Sequence, residues 1–256
     1  MIQIDTVGSA RIIRLDRPER RNAMTFAMMD EIAAAVRTAD ADARVRGIVI
    51  TGGDVCFSSG GDLQEALAMT TPGDVRHAVR RWQSMNDAIE SAGKPVVAAI
   101  EGFCLTGGCE LALACDLRVG AEGASFGITS SKIGTVPGAG GTQRLPRLIG
   151  VSAALHVLFS AEPIDAAEAY RLGLINQIVG RGQALSRACA LVELYASRAP
   201  ISLALIKRAV RQGVQTDLAS GLELEGALGA VAYGTADKKE GISAFLEKRA
   251  PQFRGA

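Results

Sequence analysis

The stretch Thr106-Gly107-Gly108-Cys109-Glu110-Leu111-Ala112-Leu113-Ala114-Cys115 places two glycines ahead of an Ala- and Leu-rich segment, with a glutamate at the junction. Gly107 and Gly108 permit a sharp turn that leaves backbone N–H groups uncovered, and Cys109 to Cys115 reads as a helix. The first amides of a helix lack intrahelical partners, and the helix dipole adds positive potential there. Such a place can hold negative charge developing on a substrate oxygen. Glu110 stands where an acid or base would be useful, although the dipole alone also favours a glutamate in a first turn. A second glycine turn, Cys56-Phe57-Ser58-Ser59-Gly60-Gly61-Asp62-Leu63, again precedes a helix and is a second source of free N–H groups.

Other chemistries are poorly represented. The glycine-rich loop from Gly134 to Arg144 has Gln143 where a third glycine would complete G-x-G-x-x-G, and no G-K-[ST] follows, so it is not a nucleotide motif. The cysteines Cys56, Cys104, Cys109, Cys115 and Cys189 are odd in number and form no C-x-x-C, so neither a disulfide framework nor a zinc site is expected. His77 and His156 lie in helical segments without partners at useful spacing. With 28 basic and 27 acidic residues, and only 7 Phe, 3 Tyr and 1 Trp, nothing calls for nucleic acid. No apolar run approaches membrane-spanning length, and Met1-Ile2-Gln3-Ile4-Asp5 does not open like a signal peptide. Free thiols and these absences lead to an expected cytoplasmic protein.

The elements that must position the turns follow from periodicity. Residues 2–7 and 10–16 read as a hairpin, 47–51 as a buried strand, and Pro95 opens an apolar run to Ile100 that suits another. Thr25 caps a helix whose Met29, Ile32, Ala33 and Val36 share a face. Helices are expected over 63–69 and 74–91, strands over 117–120 and 174–179, and a loop over 129–144. Asp165 and Glu168 have capping-box spacing. Helices over 183–198, 201–212, 217–232 and 238–248 make an all-helical tail, in which Ile201, Leu205, Ile206, Ala209 and Val210 mark a stripe to be buried.

In combination these segments resemble the crotonase superfamily, the enoyl-CoA hydratase/isomerase group. The carriers are Ser59-Gly60-Gly61-Asp62, Lys94-Pro95-Val96-Val97-Ala98-Ala99, Gly107-Gly108-Cys109-Glu110-Leu111, Ala114-Cys115-Asp116, Gly134 to Leu145, and Gly241 to Arg249. The resemblance implies an α/β fold, a spiral of ββα turns over residues 1–198, with a helical packing region over 199–256 that builds homotrimers or hexamers. It implies an acyl-CoA thioester as substrate, with coenzyme A as part of that substrate and no metal or other cofactor. By the same resemblance the amides of Gly61 and Gly107 form an oxyanion hole that stabilises an enolate. Glu110 matches one of the two glutamates that handle water and proton in hydratases. The second position falls at Ser130, where the usual Pro-Glu is replaced by Thr129-Ser130. The matched coenzyme A contacts are Ser58, Ser59 and Gly60, with Arg20, Arg21 and, from a neighbouring subunit, Lys248. A serine is no ordinary general acid near neutral pH. Three expectations therefore stand side by side: Glu110 performs both proton transfers of a hydration, the reaction is an isomerisation or another enolate chemistry needing one base, or the chain binds CoA esters with little turnover.

Overall fold

A computed structural model describes all residues from Met1 to Ala256. Apolar, β-branched runs build the main sheet. It contains β1 (Ile2–Val7), β2 (Ala10–Leu15), β3 (Gly47–Thr51), β5 (Val96–Ile100), β7 (Leu117–Ala121) and β10 (Gln177–Val179), paired in the order β1-β2-β3-β5-β7-β10. β1 and β2 are antiparallel and every other pairing is parallel. β3 and β5 are buried along their whole length, as strands covered on both faces must be.

A smaller sheet lies alongside. β4 (Cys56–Ser58), β6 (Phe103–Leu105) and β8 (Ser125–Gly127) run parallel, and β9 (Ile164–Asp165) closes it antiparallel. The chain alternates between the sheets: β3 then β4, β5 then β6, β7 then β8. A helix follows each pair: α2 (Leu63–Ala68) with α3 (Pro72–Ser91), then α4 (Gly107–Ala114), then α5 (Gly141–Ile149) with α6 (Val151–Ser160). This is a right-through repetition of strand, strand, helix, the expected spiral of ββα turns.

Helix starts follow the local signals. Thr25 accepts a hydrogen bond from Met28 N–H and starts α1 (Phe26–Ala41), and Thr71 with Asp74 closes a capping box on α3. Asp165 caps α7 (Ala166–Arg171) through Glu168 N–H. The helical tail comprises α8 (Ala184–Ala196), α9 (Pro200–Gly213), α10 (Leu218–Tyr233) and α11 (Ala236–Leu246). α8 packs under the main sheet, burying Ala184, Ala188, Leu191 and Val192 against Val49, Val97 and Val119. α9 departs from expectation: Ile206 and Val210 are each 59 % exposed, and no residue of the helix is fully buried. Its neighbour α10 covers only part of the stripe. The expected loop over 129–144 also contains structure, a short 3-10 turn at Ser130–Ile133 and the first residues of α5.

Candidate active site

The three parallel strands of the small sheet end side by side. Ser58 pairs with Cys104, and Cys104 with Phe126, so three residues farther along each strand the chain reaches Gly61, Gly107 and Thr129. Carboxyl ends of adjacent parallel strands are where open α/β sheets gather their functional loops. The spiral thus brings together the two glycine turns and the turn that carries Ser130, which are remote in sequence.

In the first turn, most backbone amides are already engaged. Ser59 N–H donates to Arg21 C=O (3.0 Å), and Gly60 N–H to Ser58 Oγ (3.1 Å). Met24 N–H donates to Gly60 C=O (2.7 Å) and Asp62 N–H to Met24 C=O (2.9 Å), a parallel bridge between Met24 and Gly61. In that pattern the N–H of Gly61 points away from residue 24. Gly60 has φ +113°, open only to glycine, and a Cβ there would stand 3.2 Å from Gly107 N. The two turns are therefore in direct contact. Gly107 is the first residue of α4, whose opening bond runs from Glu110 N–H to Thr106 C=O (2.9 Å), so its amide has no intrahelical partner. The residue before it, Thr106, has φ 47° and ψ −117°, a conformation a β-branched residue adopts at a cost of about 1–3 kcal/mol.

Glu110 is 3 % exposed. Its Oε1 accepts from Ala139 N–H (2.9 Å) and from Gly141 N–H (2.8 Å), the latter at the start of α5. Oε2 has no protein donor. Burial pushes the carboxyl up from 4.5 to about 7, against the lowering effect of the two amides and of Arg144. Near neutrality Glu110 is thus divided between acid and carboxylate, as a group that both takes and returns a proton needs to be. Ser130 is 3 % exposed. Its carbonyl accepts from Thr135 N–H and Oγ1 (both 3.1 Å), and its hydroxyl has no protein partner.

Known proteins can be set against this geometry. The sequence model of the family described as enoyl-CoA hydratase/isomerase matches residues 6–256. The chain belongs to this family. A probable enoyl-CoA hydratase of Rhizobium meliloti is 35 % identical over 252 residues, covering 98 % of this chain and 96 % of that protein. A crotonyl-CoA hydratase of Syntrophomonas wolfei is 38 % identical over 246 residues, covering 94 % and 93 %. The crystal structure of an enoyl-CoA hydratase from Bacillus anthracis superposes with a TM-score of 0.95 at 38 % identity, covering 100 % of this chain and 99 % of that one. The spiral is therefore the crotonase fold, as the sequence led one to expect.

Among the residues that the likeness to the enoyl-CoA hydratase/isomerase family picks out, some are placed otherwise than as ligand contacts. Ser58 is fully buried; its Oγ donates to Asn22 C=O (2.8 Å) and accepts from Gly60, and its Cβ packs on Gly108. It holds the turn in shape and cannot touch a ligand. Ser59 is half-buried, and the N–H and C=O of Gly60 are both used within the protein. Arg20 and Arg21 are exposed, with Arg21 lining a cleft beside Arg14. Lys248 is exposed, just beyond α11. Asp62 caps α2 through Gln64 N–H (2.8 Å) and pairs with Arg17 (2.6 Å). Asp116 pairs with Lys207 and Arg211 (both 2.8 Å). Both are structural.

Sequence reasoning missed the residues that hold Glu110. The glycine-rich segment before Arg144 is the cradle for its carboxyl, a role visible only once α5 is seen to begin at Gly141. Asn86, fully buried on α3, donates from Nδ2 to Ala139 C=O (2.8 Å), and Arg144 Nη1 donates to the same carbonyl (3.0 Å). Trp82 lies with its indole edge against the Cα atoms of both Gly61 and Gly107. It packs over both turns, on the side where a Cβ of either glycine would stand, while Met85 is wholly in the core.

Proposed function

We propose that the chain is an enoyl-CoA hydratase in which one glutamate moves both protons. The observation that carries this is Glu110: one carboxyl oxygen fixed by two amides, the other free, titrating near 7, beside two glycine turns in contact. In the proposed course the thioester oxygen of a 2-enoyl-CoA accepts from Gly61 and Gly107 N–H. Ionised Glu110 takes a proton from water as the water oxygen bonds to C3, and the π electrons move onto the thioester oxygen. The enolate is stabilised there by the two amides. It then takes the proton back from Glu110 at C2, leaving the glutamate ionised and one water added. Both transfers occur on one face, so the addition is syn. The name of the Syntrophomonas wolfei relative supports a short, crotonyl-like acyl group. This course draws on no metal or redox group, and coenzyme A enters as part of the substrate.

The basic groups proposed for the phosphates of coenzyme A are Arg20, Arg21 and, from a neighbouring subunit, Lys248; the cleft of about 340 Å³ at Arg14 and Arg21 is also lined by Asp16 and Asp54 and so adds no net positive charge. The exposed apolar residues of the 199–256 region, among them Ile206, Val210, Leu222 and Phe245, support assembly into trimers or hexamers. No single helix is long and apolar enough to cross a membrane. The bacterial relatives are in keeping with a cytoplasmic enzyme.

Ser130 favours a second reading. With a hydroxyl where the second carboxylate is matched, a reaction needing one acid–base group, such as migration of a 3-enoyl double bond, is equally served by Glu110. A panel of 2-enoyl-, 3-enoyl- and carboxyacyl-CoA substrates followed by mass and by absorbance separates these: gain of water, gain of conjugation at constant mass, and loss of carbon dioxide are distinct. Binding without any change throughout the panel would refute catalysis. Ser130→Glu is expected to accelerate hydration by about tenfold or more if a second carboxylate is what the site lacks. No acceleration would favour isomerisation.

A further inference from the structure

Thr106 is bonded to β8, to α4 and to the turn that carries Ser130, and packs on Gly60. Its N–H donates to Gly127 C=O (2.7 Å), its C=O accepts from Glu110 N–H (2.9 Å), and its Oγ1 lies 2.8 Å from Thr129 Oγ1 while accepting Thr129 N–H at 3.3 Å. Its Cβ stands 3.1 Å from where a Cβ on Gly60 would be. The next amide along the chain is that of Gly107.

The aim of the Gly107 N–H is set by the plane of the peptide joining residues 106 and 107, and therefore by ψ of residue 106. At φ 47° and ψ −117° a glycine would be relaxed and free to turn, and two glycines follow directly. The chain instead has a threonine there, in a conformation that β-branched residues avoid. Its three polar groups are each held by a different neighbour: the N–H by β8, the hydroxyl by the turn that carries Ser130, the carbonyl by α4. A residue fixed at all three points leaves the following peptide plane no freedom to tilt.

We propose that Thr106 is a positioning residue, whose hydroxyl pair with Thr129 keeps the Gly107 N–H aimed at the substrate oxygen and ties that aim to the Ser130 turn. The proposal rests on the reading of Gly107 as an oxyanion donor. It acts through orientation alone, since neither hydroxyl needs to touch the substrate.

The test compares Thr129→Val, Thr106→Gly, Thr106→Ser and the double variant Thr106→Gly/Thr129→Val with the parent enzyme. Two readouts are used: hydration of crotonyl-CoA, and exchange of the C2 protons of butyryl-CoA in deuterated water, which needs only enolate formation. Complete loss of an oxyanion donor costs about 10²–10³ in kcat, so misaiming one is expected to lower kcat about tenfold in Thr129→Val and Thr106→Gly. KM is expected to change by less than about twofold, since the interaction lost belongs to the transition state. Exchange is expected to slow in parallel, Thr106→Ser to retain the parent rate, and the double variant to be no slower than either single one. A merely structural pair would alter stability while leaving kcat of the folded enzyme in place. Rates within about twofold of the parent in both Thr129→Val and Thr106→Gly would overturn the proposal, as would loss of activity in Thr106→Ser. A parent enzyme that neither hydrates crotonyl-CoA nor exchanges butyryl-CoA would instead overturn the oxyanion reading itself, and the proposal with it.

Discussion

Glu90 on α3 and Glu110 on α4 stand on either side of Arg144, and the fold treats them oppositely. Glu90 accepts from Arg144 Nε (2.9 Å) and Nη2 (2.6 Å) and from Arg211 Nη1 (2.8 Å). Burial pushes its carboxyl up, but the two guanidinium groups outweigh this and hold it below its ordinary value. Glu110 receives two neutral amides on one oxygen and feels Arg144 only at a distance, so burial prevails and raises it to about 7. The same side chain is held as an anion in one place and, in the proposed mechanism, shuttles a proton in the other. What separates them is where the cations are committed. Arg144 is turned to Glu90, and Arg211 continues the network to Asp116. These pairs anchor α9 to the body of the protein and keep positive charge away from the carboxyl that changes its state in the proposed mechanism.

The contrast is broken most completely at Glu110. Glu110→Gln keeps an oxygen for the amides of Ala139 and Gly141 but removes the titrating proton, and turnover is expected to fall by about 10²–10⁴. Retention of full activity would remove Glu110 from the mechanism. In the parent enzyme kcat/KM is expected to decline as the pH falls through about 7, where the base becomes protonated. The same shift has a thermodynamic sign. Between 4.5 and about 7 the folded chain keeps a proton on Glu110 that the unfolded chain releases, so its contribution to stability is lost as the pH rises through this window. Glu110→Gln is therefore expected to gain up to about 3 kcal/mol relative to the parent at pH near 8, and none near pH 4, by denaturant titration at both values.

A smaller effect is expected from the other side of the pair. Glu90→Gln leaves Arg144 and Arg211 facing an uncharged amide. The field of Arg144 is then no longer neutralised, and the acid limb of the pH–rate profile is expected to move to lower pH as Glu110 becomes easier to ionise. Both partners remain about a quarter exposed, so the stability loss is expected near 1–3 kcal/mol rather than the larger cost of a sealed pair, roughly. An unmoved acid limb would show that the amides and burial alone set the behaviour of Glu110.

Much of this was legible in the sequence, and the illegible part has a common cause. The main-sheet strands, the long helices and two of their caps announce themselves by apolar runs and by Thr25 and Asp165, whereas the Thr71 cap of α3 did not stand out from its Thr-Thr-Pro-Gly break. The two glycine turns and Glu110 stood out by residue type, and the resemblance supplied the spiral and Ser130. What escaped was the small sheet. β4, β6 and β8 are three residues each, too short for any alternation to register, and yet their parallel alignment is what brings residues 61, 107 and 129 together. The backbone cradle of Glu110 escaped for the same reason: amide donors leave no mark of their own in a sequence, and the glycines of residues 138–141 could equally have been a plain loop. The half-exposed stripe of α9 was read as core because periodicity reports that a face is apolar and not what covers it.

Asn86 offers the mildest way to sharpen the comparison. Its Nδ2 helps Arg144 hold the Ala139 carbonyl, while its Oδ1 is buried without a partner. A buried acceptor left unpaired costs stability, and a hydrogen bond to a carbonyl that keeps a second donor contributes only modestly. The two nearly cancel, so Asn86→Leu, which keeps the branched shape but is larger, is expected to cost no more than mild overpacking does, about 1–3 kcal/mol. The consequence should fall on Glu110 instead. With one of its two anchors gone the segment from Ala139 to Gly141 loosens, the amides hold Oε1 less firmly, and the carboxyl titrates slightly higher. The acid limb of kcat/KM is expected to shift upward by a few tenths of a pH step, opposite in direction to Glu90→Gln. A downward shift, or a large loss of stability, would mean that Asn86 serves the packing of α3 and that Arg144 alone holds the cradle of Glu110.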